Sequence, residues 1–87
     1  MSRTARQYRL DRAIARVLAN CGAYLLPQSA LIDEVGLLVT APRPAQSEVE
    51  ESIKHHDSSG RLTGIQGETE TKWKLSDAGR AWHQENA

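Results

Sequence analysis

The chain has 87 residues, room for one small domain, and 39% of them are hydrophobic against 25% charged, the balance of a folded globular protein. Eleven Lys and Arg cancel eleven Asp and Glu, so attraction to a polyanion has to come from how charge is distributed and not from its total. One cysteine, Cys21, rules out an intramolecular disulfide and a multi-cysteine zinc site, and no apolar run approaches the roughly eighteen residues of a membrane span. The start is basic but leads into an amphipathic segment instead of an apolar signal core, so a cytoplasmic protein is expected.

From about Tyr8 to Cys21, Leu10, Ile14, Val17, Leu18 and Cys21 fall on one stripe at about 100° per residue, and the spacing predicts a first helix closed by Gly22. Arg9, Arg12 and Arg16 lie on its far side. With Arg3 and Arg6 against Asp11, the first residues form a basic region whose arm, residues 1–7, precedes the helix. Tyr24 to Leu26 read as a short strand or connector. Leu31, Ile32, Val35, Leu38 and Val39 share a helical face from Ser29 onward, with Pro27 near its start. The two prolines of Ala41-Pro42-Arg43-Pro44-Ala45 force a turn.

Ser47-Glu48-Val49-Glu50 has the form of a capping box for a third helix that runs to about Ser59, with Val49, Ser52, Ile53 and His56 inward and Gly60 as a left-handed stop. Arg61 to Ile65 and Lys72 to Leu75 read as a hairpin, with Trp73 and Leu75 on one face and Lys72 and Lys74 on the other. Leu62 and Ile65 break strict alternation, so a bulge is expected at Gly64. Ser76 and Asp77 then start a short helix holding Ala78, Ala81 and Trp82.

This order, with Gly60-Arg61-Leu62, a hairpin, and Lys74-Leu75-Ser76-Asp77-Ala78-Gly79-Arg80-Ala81-Trp82, resembles a winged helix-turn-helix domain. The fold class expected is mainly α with a small antiparallel hairpin (α+β): three helices, a wing at about 61–75, and a short C-terminal helix, in a single domain spanning 1–87. The resemblance implies a non-enzymatic, DNA-binding transcriptional regulator or accessory protein whose third helix enters the major groove of double-stranded DNA beside the wing. The charge pattern departs from it. The third helix sets Glu48, Glu50, Glu51 and Asp57 against Lys54 alone, and the wing adds Glu68 and Glu70, a surface that repels phosphate. The alternative is a protein-interaction or homodimerising winged helix, in which basic first helix and acidic third helix pair between copies.

Candidate contacts to nucleic acid or partner are Arg9, Arg12, Arg16, Arg43, Ser47, Glu51, Lys54, His55, Arg61, Lys72 and Lys74. No catalytic, cofactor or metal site is expected, and no small-molecule ligand or membrane partner. His55, His56 and Asp57 are adjacent, whereas helical metal ligands stand four apart. Cys21 lies on an apolar stripe without an evident base.

Overall fold

A computed structural model describes residues 2–87 and orders them as α1 (Ala5–Cys21), β1 (Leu26–Pro27), α2 (Gln28–Leu38), α3 (Gln46–Ser58), β2 (Leu62–Gln66), β3 (Thr71–Leu75) and α4 (Asp77–Asn86). The three strands form one antiparallel sheet in the order β1-β3-β2. This is the arrangement of a winged helix-turn-helix: three helices, a β2–β3 wing, and a closing helix.

α1 is the central element. Leu10, Ala13, Ile14, Ala15, Val17 and Leu18 are buried against Leu31, Val35 and Val39 from α2 and its C-cap, Val49 and Ile53 of α3, and Trp73 and Leu75 of β3. The helix starts at Ala5, three residues before the start expected, because Thr4 and Gln7 form a capping box: the Thr4 hydroxyl accepts the Gln7 N–H at 3.0 Å and the Gln7 side chain accepts the Thr4 N–H at 3.0 Å. Residues 5–7 of the expected basic arm are therefore helix. At the other end Gly22 takes φ 62° and stops it, as expected.

β1 is shorter and later than the Tyr24–Leu26 run. Only Leu26 and Pro27 pair, opposite Trp73 and Lys72, and Tyr24 is exposed. α2 buries Leu31 and Val35, but Leu38, expected inside, is 47% exposed. α3 begins at Gln46, so the expected Ser47–Glu50 box is displaced by two residues: Ala45 is the N-cap, Glu48 reaches back to accept its N–H at 3.0 Å, and Ser47 is exposed within the helix. The inward stripe of Val49, Ser52, Ile53 and His56 is fully buried, and Gly60 adopts φ 74° after the helix ends.

There is no bulge at Gly64. β2 and β3 stay in continuous register, with Leu62 opposite Leu75, Gly64 opposite Trp73 and Ile65 opposite Lys72. Alternation is intact because Ile65 faces outward, beside Lys72, and is 48% exposed. The glycine has another cause: a Cβ there would sit 2.5 Å from the Trp73 ring. Ser76 caps α4 as expected, its hydroxyl accepting the Gly79 N–H at 3.1 Å. The inner face of α4 is Gly79, Trp82, His83 and Asn86, whereas Ala78 and Ala81, expected to be held inside, are exposed.

Candidate functional site

The outer row of α3 consists of Ser47, Glu51, Lys54 and Ser58, all exposed, with His55 half-buried at its edge. The chain before and at the start of α1 lies along this helix. Arg3 donates from Nε and Nη2 to the Asp11 carboxylate at 2.9 and 2.7 Å, and from Nη1 to Glu51 at 2.6 Å. Arg6 donates to both oxygens of Glu48 at 2.6 and 3.1 Å. Those bonds hold Arg3 above its ordinary pKa, through Asp11 first, and Arg6 likewise through Glu48. Glu48 itself is drawn down to about 2, chiefly by Arg6 and next by the Ala45 N–H.

Behind this row runs a buried polar chain with no counterpart among the sequence expectations. Asp11 is 1% exposed in the middle of an apolar helix face, and Ser52 of α3, itself fully buried, donates its hydroxyl to the Asp11 carboxylate. The Asp11 carbonyl accepts from His56 Nε2 at 2.8 Å, and Arg61 donates to His56 Nδ1 at 3.3 Å. Arg61 continues across the Trp82 ring at 4.8 Å, and Trp82 stands edge-on to both His56 and Tyr8. Arg61 is thus part of a structural stack, not a free cation of the wing.

Both ring nitrogens of His56 are used as in the neutral imidazole, and burial pushes its pKa down from 6.5. The unfolded chain then binds the extra proton first, so stability contributed by neutral His56 is complete above pH 6.5 and lost as pH falls through its lower folded value. Thermal melts are expected to drop progressively from pH 7 to 5, and His56→Gln to flatten that slope. An unchanged slope would contradict a buried neutral imidazole.

The acidic wing is also partly accounted for. Glu70 turns back onto the N-terminus of α2, accepting the Ser29 N–H at 2.6 Å and its hydroxyl at 3.1 Å; those bonds, led by the backbone N–H, lower its pKa. Lys72 and Lys74 share the outward face of the hairpin with Thr63 and Ile65, as expected from alternation. Arg43, exposed in the α2–α3 loop, has its guanidinium 2.8 Å from where a Cβ on Gly36 would sit, so the glycine makes its seat.

Of the candidate residues, then, the structure groups Ser47, Glu51, Lys54 and His55 on α3, places Lys72 and Lys74 together on the wing, and sets Arg61 against Trp82 and His56. Arg9, Arg12 and Arg16 occupy a different surface. They are exposed along the outward side of α1, lining an open-sided groove with the end of α2 and with α4, and no residue of α3 or the wing lines it. Cys21 is half-buried at the end of α1, and no cluster of three or more metal-ligating side chains exists among the described residues. No helix among the described residues is long and apolar enough to cross a membrane.

The fold is that of a winged helix-turn-helix. Among solved structures, the crystal structure of SSV1 F-93 is similar to it with a TM-score of 0.70, over 91% of this chain and 81% of that one, at 14% sequence identity. A likeness at that identity is one of fold. No protein-family model matches the sequence, and no curated protein sequence does.

Proposed function

We propose that this winged helix is a non-enzymatic module that binds double-stranded DNA in regulation, with α3 toward the major groove and the wing along the adjacent backbone. The observation that supports it is the internal pairing of acids on the presented face: Glu48 and Glu51 are bonded to Arg6 and Arg3, and Glu70 caps α2. A carboxylate bonded to a guanidinium or a helix N-terminus repels phosphate less than a free one, so the repulsion expected from the sequence is softened at Glu48 and Glu70, less so at Glu51, whose partner Arg3 also serves Asp11, and stays in full at Glu50, Asp57 and Glu68. Lys54, Arg43, Lys72 and Lys74 supply the phosphate contacts, and Glu51 can accept from a cytosine N4.

Four phosphate contacts imply that affinity for a mixed-sequence duplex falls about a hundredfold between ~50 and ~200 mM salt. Fluorescence anisotropy of a labelled duplex is expected to show that slope, to weaken with Lys54→Glu and Lys72→Glu, and to strengthen with Glu50→Lys, an exposed position. Absence of binding at ~50 mM salt with protein at ~100 μM, the weak end of non-specific association, would overturn the reading.

A second reading, a protein-interaction module, is favoured by a separate observation: Arg9, Arg12 and Arg16 have no carboxylate within ion-pair distance among the described residues. Its homodimeric form, pairing the basic region of one copy with α3 of another, is weakened because Arg3 and Arg6 meet Glu51 and Glu48 within one chain. A strictly monomeric mass by sedimentation at high concentration would remove that form.

A further inference from the structure

The outward side of α1 combines two features: three arginines without acidic partners among the described residues, and apolar surface beside them. Arg9, Arg12 and Arg16 stand at i, i+3 and i+7, one line about 10 Å long on the helix. They border a groove of about 470 Å³ whose accessible apolar lining includes Leu38 and Trp82. Leu38 is 47% exposed there, although its place in the α2 pattern is that of a core residue. Arg12 is positioned over the Tyr8 ring at 5.8 Å, which keeps its guanidinium along the surface.

We infer that this groove takes an acidic, amphipathic helical segment of a partner protein, its carboxylates on the arginine line and its apolar side chains on Leu38 and Trp82. Charge complementarity selects that occupant over a second copy, since a two-fold contact through this face would set the two arginine lines against each other. The apolar lining selects it over a nucleic-acid backbone, whose phosphates would meet the arginines but leave Leu38 and Trp82 uncovered or force them against charge. An amphipathic helix satisfies both halves at once, in the helix-in-groove mode. The inference is independent of the DNA reading, because no α3 or wing residue lines the groove.

The test uses the whole chain and a labelled designed peptide of about twenty residues, with Leu at i, i+3, i+4 and i+7 and Glu flanking them. Controls are the same composition scrambled to destroy the period, a polyglutamate of equal charge, and a mixed-sequence DNA duplex. Saturable binding of the amphipathic peptide is expected, at least about tenfold tighter than either peptide control. Loss of about tenfold is expected with Arg9→Glu/Arg12→Glu/Arg16→Glu, as three exposed charge pairs are removed together, and a smaller loss with Leu38→Ser. Amide shifts in the wild-type protein should move along α1 and at the Trp82 indole, which tests the site without relying on variants. Equal binding by polyglutamate or the scrambled peptide, shifts confined elsewhere, or no saturable binding would overturn it. So would duplex binding that the arginine reversals abolish while the peptide fails to bind, which would give the line to nucleic acid. Self-association that the same reversals abolish would give it to a second copy.

Discussion

Arg3→Ala is expected to destabilise the protein by about 3–5 kcal/mol, although Arg3 precedes the first helix and a terminal arginine ordinarily contributes little. Its target sets the size. Asp11 is 1% exposed, and its carboxylate is bonded by two nitrogens of Arg3 and by the Ser52 hydroxyl. Removing the arginine leaves a buried carboxylate with one neutral donor, and desolvation of an unpaired charge is the dominant penalty. Asp11→Ala is expected to cost less, about 2 kcal/mol, because Arg3 is 19% exposed by side chain and can swing into water, leaving chiefly Ser52 and the vacated space. The double variant should cost less than the two single losses together, by about 1–3 kcal/mol of coupling. Urea unfolding followed through the tryptophans measures all three. An Arg3→Ala loss below ~0.5 kcal/mol, the range of ordinary surface substitutions, would contradict the buried pair.

Gly79→Ala should destabilise by about 3 kcal/mol, against the usual gain of about 1 kcal/mol when alanine replaces glycine inside a helix. Gly79 is buried in α4, and a Cβ there would lie 2.1 Å from the Arg61 backbone oxygen and 3.0 Å from Leu75 Cδ2. That oxygen cannot retreat cheaply, since it accepts the Ser76 N–H at 3.0 Å and so ties the start of β2 to the cap of α4. The alanine has to push α4 off the sheet, disturbing Trp82 and with it His56 and Arg61. A melting temperature equal to or above that of the wild type would show that the junction is looser than described.

Much of this architecture was legible in the sequence because it follows from period and punctuation. The buried stripe of α3, the opposite faces of Trp73 and Lys72, the stops at Gly22 and Gly60 and the Ser76 cap all arise from local chemistry, and all four stand in the structure. Local chemistry misleads where a distant group decides. Gly64 signalled a bulge when read locally, but the ring of Trp73 across the ladder requires its missing side chain. The box at Ser47 had the right residue types, but Glu48 reaches Ala45 and also holds Arg6, so the helix begins earlier. Leu38 had core periodicity, yet α2 ends there and no element covers it.

The candidate surface was legible residue by residue but not as an assembly. Counting acids on α3 gave a repulsive face because nothing in the local sequence ties Arg3 to Glu51, 48 positions away, or Arg6 to Glu48. One signal was available. On the helical wheel Asp11 falls about 100° from Leu10 and about 20° from Leu18, inside the apolar stripe, and an acid in that place has to find a cation. The seat of Arg61 was hidden for a similar reason: its position at the foot of the wing does not reveal the aromatic face of Trp82 and the nitrogen of His56 that hold it.

The proposed reading surface is tested most directly by titrating isotopically labelled protein with a mixed-sequence duplex at low salt and following every backbone amide. Shifts concentrated at Ser47, Lys54 and Ser58 of α3 and at Lys72 of the wing, with Arg9, Arg12 and Arg16 unmoved, are the predicted result. Shifts confined to the outward side of α1, or none at all, would contradict it.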